Sequence, residues 1–202
     1  MSVKVFESHT KFDSDFCDIF DRACSRVGID AFRSEFEDIK LPAWRTIGDE
    51  LKQSKALFLL VGKELVRAQS KHDLGWEYTQ NWISFEIGAA SQLGIDIWVI
   101  CDDIEINFPV PYFNHYMPHS IRDTGFRGFV NILQMYDDGQ NKVNLLGKVT
   151  CPNITCGITY TLHGYVPKNG KVVCPCCLSA IYFPNGRSVY DWPIVMKQSV
   201  SE

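Results

Sequence analysis

The sequence predicts an α/β protein: a mostly parallel sheet with helices on both faces, followed by a small cysteine-held β module. Three observations predict it. Strand-like and helix-like segments alternate through the first two thirds of the chain, the order that builds a parallel sheet. Two of the strand segments, Ala56–Val61 (ALFLLV) and Ile95–Ile100 (IDIWVI), are near-continuous apolar runs, as expected of strands covered on both faces. Five of the eight cysteines, Cys151, Cys156, Cys174, Cys176 and Cys177, crowd together near the end.

Taken in order, Val3–Ser8 (VKVFES) is a short β-rich run. From Asp13 to Val27 the apolar residues Phe16, Ile19, Phe20, Ala23 and Val27 form a helical stripe, with Asp13 or Ser14 placed to cap it and Gly28 to end it. Ile29–Phe32 reads as a second strand. Trp44–Ser54 carries Ile47 and Leu51 at helical spacing, ahead of the Ala56–Val61 strand. Thr79–Leu93 reads as a helix stopped by Gly94, Ile95–Ile100 as the next strand, and Phe126–Tyr136 as a last helix. In the second part Ile158–Val166 alternates like a strand, Pro167-Lys168-Asn169-Gly170 is a turn, Lys171–Val173 returns, and Ala180–Phe183 is one more short strand. This is a β-hairpin held between two cysteine pairs.

A chain of 202 residues holds one ordinary domain with an addition, or two small ones. The polar, turn-rich stretch around Asp137-Asp138-Gly139-Gln140-Asn141-Lys142 marks the boundary. The expected division is a first domain over 1–138, a linker over 139–148 and the cysteine module over 149–202. Residues 139–202 carry six Lys/Arg against two acids, a net of +4, which leaves −8 for residues 1–138. The overall charge of −4 disfavours a protein that coats nucleic acid by charge alone. No apolar run reaches 18 residues and the N-terminus lacks a signal-peptide pattern, so the expectation is a cytoplasmic protein with no membrane span.

One helix carries a chemical signal. Residues 82–90 read Trp-Ile-Ser-Phe-Glu-Ile-Gly-Ala-Ala, and Glu86 is the only charge among them. Trp82 lies four residues earlier, so indole and carboxylate share a face. A carboxylate in apolar company costs free energy unless it is paired or hydrogen-bonded. The plain alternative is a Glu86 that reaches solvent or a lysine at the edge of the stripe. The chemical alternative is a carboxylate that holds a ribose and stabilises an oxocarbenium-like transition state at a sugar carbon. There is no G-x-G-x-x-G after the first strand and no Walker lysine motif, so a Rossmann dehydrogenase or a P-loop enzyme is not indicated.

The first part resembles a TIR (Toll/interleukin-1 receptor) domain over about residues 3–137. Val5-Phe6-Glu7-Ser8-His9 is similar to the family's first strand and following loop, and Ile47–Val61 (IGDELKQSKALFLLV) to its second helix and third strand. Trp82-x-x-x-Glu86, then Ala89-Ala90, Gly94 and Ile97–Ile100, resembles the catalytic helix and fourth strand of the NAD-cleaving members. The resemblance implies a flavodoxin-like, five-stranded parallel sheet. It implies an NAD+ glycohydrolase that cleaves the nicotinamide–ribose bond to give nicotinamide with ADP-ribose or cyclic ADP-ribose. Glu86 takes the catalytic position, Trp82 the helix tryptophan, and Phe6 and Ser8 fall where the family lines its nucleotide pocket. By the same resemblance Glu35–Trp44 is the loop that mediates self-association and gates the pocket, although the Pro-Gly pattern of animal receptors is missing there. The implied setting is microbial, antiphage immunity. Two other readings stay open: a non-catalytic TIR scaffold for protein assembly, and a nucleoside deoxyribosyltransferase-like enzyme. Residue by residue, Phe6 also suits a core, Ser8 and His9 a helix cap, Lys40 and Lys63 solvent, and Cys101 strand-end packing.

The cysteines give a separate signal. Cys151-Pro-Asn-Ile-Thr-Cys156 and Cys174-Pro-Cys-Cys177 are separated by seventeen residues, a zinc-ribbon spacing. Cys151, Cys156, Cys174 and Cys177 are the expected ligands of a structural zinc ion with no open coordination position. Cys176 can replace Cys177, although C-x2-C spacing suits a knuckle better than C-x-C, and a redox role for the C-x-x-C pair is the rival. The module's basic balance and its aromatic residues permit a partner, an activating trigger or nucleic acid, with a docking or oligomer-forming role favoured over nucleic acid.

Overall fold

The computed structural model describes residues 2–10, 12–33, 42–71, 74–102, 104–118, 125–139, 142 and 147–188. β1 (Lys4–Ser8) leads through α1 (Ser14–Val27) to β2 (Asp30–Arg33), α2 (Ala43–Gln53) to β3 (Ser54–Val61), and α3 (Lys63–Ser70) and α4 (Leu74–Leu93) to β4 (Asp96–Cys101). β5 (His115–Met117) and α5 (Gly125–Asp137) follow. The cysteine region contributes β6 (Lys148–Thr150), β7 (Thr159–Leu162), β8 (Tyr165–Val166), β9 (Gly170–Val173), β10 (Ala180–Phe183) and β11 (Arg187–Ser188).

The alternation expected from the sequence builds the α/β sheet that it implies. Strand order is β2-β1-β3-β4-β5-β7-β6, parallel throughout except for the β6–β7 pair at the edge. Its first five strands follow the 2-1-3-4-5 order of flavodoxin-like folds, in which the chain reverses its direction of winding between β1 and β3.

Both faces of the sheet are covered, which explains the continuous apolar runs. Along β3, Leu57, Leu59 and Val61 pack on one side with Ile47 and Leu51 of α2 and Ile83, Ile87 and Ala90 of α4. Ala56, Phe58 and Leu60 pack on the other with Phe16 and Phe20 of α1 and Phe129, Ile132 and Leu133 of α5. The α1 stripe ends where the sequence places it. Gly28 adopts φ 82°, and the N–H groups of Gly28 and Ile29 both donate to the Cys24 carbonyl, closing the helix with a left-handed turn that glycine adopts at little cost.

Two expectations are corrected. The sheet has seven strands where five were expected, because β6 and β7 of the cysteine region join its edge. The hairpin over Ile158–Val166 and Lys171–Val173 does not form: β7 pairs with β5 and β6, while β9 pairs with β10 and β8 with β11. The hairpin is instead Gly170–Val173 with Ala180–Phe183, turning through the second cysteine pair. The elements not foreseen are α3, the first turn of α4, the three-residue β5 and the short strands β6 and β11. No helix among the described residues is long and apolar enough to cross a membrane.

Candidate functional site

The crevice of an open α/β sheet lies beyond the carboxyl ends of its strands, where the winding reverses. Here that point is the end of β1 beside β3, with Ser8 in register with Leu59. Side chains alternate along β1, so Ser8 shares a face with Phe6, the face that α4 covers. Ser8 Oγ donates a hydrogen bond of 2.5 Å to Glu86 Oε2, a length typical of a hydroxyl on a charged carboxylate. Ser8 is 1% exposed and Glu86 2%. The lone charge of the apolar helix is therefore turned inward, onto the end of the first strand. The reading of Glu86 as a solvent-facing edge residue fails.

The neighbours follow from helical spacing. Ile83, Ile87 and Ala90 are buried, as their stripe requires. Trp82, one turn before Glu86, is half-buried and meets Phe85 edge-on, with ring centroids 5.6 Å apart. Phe6 is fully buried, its ring 5.4 Å from that of Phe32. Cys101 is fully buried, and burial pushes its thiol up to about 12, which suits packing and not nucleophilic attack. Lys63 opens α3 and is exposed. Lys40 and most of the connection Glu35–Trp44 lie outside the described residues, and Trp44 itself is 54% exposed at the start of α2.

Sequence reasoning missed the residue that joins the two loops of this crevice. Asp13 makes no side-chain cap on its own helix α1. Its carboxylate instead accepts from the N–H groups of Glu64 (2.9 Å) and Leu65 (3.0 Å), at the start of α3. Gly62 permits this, since a Cβ there would collide with the Asp13 carboxylate. The signal in the sequence is faint: a glycine where an N-cap residue is usual, and an acid in a loop 49 positions earlier.

A second constellation lies at the other end of the sheet. The sulfurs of Cys151, Cys156, Cys174 and Cys177 all lie within 4.8 Å of one another. Cys151 and Cys177 are 3.6 Å apart and Cys156 and Cys174 4.0 Å. Four thiolates at about 2.3 Å from a tetrahedral ion define an edge of roughly 3.8 Å. The observed separations bracket that edge, and all eight cysteines are free of disulfides. The four thiols thus fit a metal ion.

The two knuckles also follow the same path. The residue after the second cysteine of each is left-handed, Gly157 at φ 56° and Leu178 at φ 60°. This match assigns Cys177 to the cluster and leaves Cys176 beside it. Burial raises the Cys177 thiol, but hydrogen bonds from Ser179 and the neighbouring thiols outweigh it and bring it down to about 6. His163 is no part of the cluster. It follows β7, is buried, and stacks on Trp98 at 4.9 Å.

No protein-family model, no curated protein and no solved structure matches this chain.

Proposed function

We propose that the first part of this chain is a TIR-type NAD+ glycohydrolase and that the cysteine cluster holds one structural zinc ion. The observation that carries the enzymatic reading is the buried Ser8–Glu86 pair at the point where the winding of the sheet reverses. A carboxylate with one oxygen held by a hydroxyl is fixed in direction, as a group that must face a developing charge has to be.

The chemistry then needs few parts. Nicotinamide leaves NAD+ as a neutral molecule, so no general acid is required. As the C1′–N bond breaks, Glu86 stabilises the oxocarbenium-like ribose across a short, water-poor gap, and Ser8 holds the carboxylate in place. Water adds to C1′ and loses a proton to give ADP-ribose, or a ring nitrogen of the adenine adds to give the cyclic product. Trp82 shapes the nicotinamide side.

At 2% exposure Glu86 does not meet substrate in this conformation. Entry requires displacement of its cover, and self-association after the manner of the family would supply it. The exposed Trp44 beside the second-strand connection is suited to such a contact. The dilute protein should therefore be nearly inactive. The setting we infer is immune signalling inside a microbial cell.

The zinc ion would be held by Cys151, Cys156, Cys174 and Cys177. Four protein ligands leave it no catalytic position, and it would supply only cross-linking of the module. A trigger or partner would then meet the module's surface.

The test is product analysis with concentrated protein and NAD+. Nicotinamide release is expected, and Glu86→Gln is expected to lower it by at least about 100-fold, the usual cost of losing one electrostatic stabiliser. Activity that persists in Glu86→Gln overturns the assignment. Absence of turnover under every assembly condition points to a scaffold, and base exchange on deoxynucleosides to a deoxyribosyltransferase.

A further inference from the structure

The end of β1 has two sides. Ser8 turns towards α4, whereas Glu7 and His9, one position away on either side, turn to the opposite face. There they meet Cys17 in the first turn of α1. Glu7 and Cys17 are 0% exposed and His9 6%. One carboxylate oxygen, one imidazole nitrogen and the Cys17 sulfur all lie within 4.8 Å of one another. Three different ligand chemistries thus converge on one buried point, drawn from a strand end, the turn after it and the facing helix.

The surroundings do not satisfy that point. Neither oxygen of Glu7 has a hydrogen-bond partner. The cation facing it, Arg33, stands 3.7 Å away and is shared with Asp21 at 3.0 Å and Asp18 at 3.8 Å. Three carboxylates therefore draw on a single guanidinium. Burial, with Asp21 adding to it, pushes the Glu7 carboxyl well above its usual range. Burial likewise raises the Cys17 thiol and lowers His9 to about 4. A buried acid whose one cation is distant and shared is costly unless it is better paired or coordinates a metal.

We propose that Glu7, His9 and Cys17 form a second metal site, distinct from the four-cysteine cluster, for a divalent ion of the zinc class. Thiolate, neutral imidazole and carboxylate are zinc's own donor types, and three of them leave one tetrahedral position for water or the neighbouring Asp21 carboxylate. Binding displaces the Cys17 thiol proton to solvent as the metal–sulfur bond forms. Arg33 is the ion's competitor and remains on Asp18 and Asp21. The site does not depend on the hydrolase reading.

Cobalt(II) titration of the metal-stripped full-length chain tests this, because thiolate-to-cobalt absorption counts sulfurs. Two equivalents are expected, one with four-thiolate intensity and one with single-thiolate intensity. Cys17→Ser and Glu7→Gln should each lose only the second, with folding checked by far-UV circular dichroism. Arg33→Ala removes the competitor and should tighten the second equivalent at least several-fold, which a purely structural cluster would not show. Should Cys17→Ser fail to fold, the wild-type titration and the Arg33 variant still decide. A wild type without the single-thiolate equivalent, or one whose second equivalent survives unchanged in Cys17→Ser, overturns the site.

Discussion

Leu178 sits where its side chain is a burden. At φ 60° it occupies the left-handed region, which costs an L-residue with a Cβ roughly 1–2 kcal/mol. The first knuckle places Gly157 at the same point of its path. The N–H of Leu178 donates to the Cys174 carbonyl at 2.9 Å, so the turn itself is needed and only the side chain is out of place. Leu178→Gly should therefore stabilise the metal-loaded chain by about 1 kcal/mol in denaturant unfolding. A destabilised variant would mean that the side chain, 37% exposed, contributes packing worth more than the strain. The preference for Cys177 over Cys176 was legible in the C-x2-C spacing, and the cluster of Cys151, Cys156, Cys174 and Cys177 agrees with it. Glu86 was legible, since one charge in an apolar helix must be answered somewhere. Ser8 was named only through the family resemblance, and the hydrogen bond itself was not legible, because the two residues lie 78 positions apart.

Among the elements, those that bury their own stripe were readable. β3, β4, α1 and α5 carry their burial in local periodicity. α3 was not, because what starts it comes from elsewhere. Its N-cap residue is Gly62, which offers no side chain, and its free N–H groups are answered by Asp13 from the loop after β1. The first turn of α4 was missed for a related reason: Gly75 weakens the local pattern, while Trp76 is buried against Phe108 with ring centroids 5.2 Å apart. The Asp13 contact makes a sharp prediction. Asp13→Ala should cost about 1–2 kcal/mol, the usual loss for a helix cap, and Gly62→Ala a comparable or larger amount through collision with the carboxylate. In the double variant the collision has no partner. The combined loss should then fall short of the sum of the single losses by more than about 0.5 kcal/mol, the coupling expected of residues in contact. Simple additivity in a thermodynamic cycle would show that the two loops are not joined in this way.

At the scale of the whole molecule, the cysteine region is continuous with the sheet in a way that composition could not reveal. β7 pairs with β5 across 46 positions, a separation no local pattern records. Val149, Tyr160, Leu162 and Cys174 belong to the same apolar cluster as Leu57, Ile87 and Val99. Tyr160 packs on Phe113 at 4.9 Å. On the opposite face Trp98 stacks on both His115 (4.0 Å) and His163 (4.9 Å), one from each side of the junction. The N–H of Val110 donates to the Pro175 carbonyl within the second knuckle at 2.8 Å. An appended ribbon would melt alone once its metal is removed. This one should not, because its strand and its tyrosine are part of the main sheet and core. Chelation, or Cys174→Ser, should therefore destabilise the entire chain. Losing the packing of a buried aromatic residue alone costs about 3–5 kcal/mol. In a chain of this size that corresponds to a fall of roughly 10 °C in Tm. Tryptophan fluorescence, which reports chiefly on the first part, and far-UV circular dichroism should shift together in a single transition. A low-temperature step that leaves the fluorescence transition where it was would show that the sheet ends at β5 in energetic terms, whatever its hydrogen bonds.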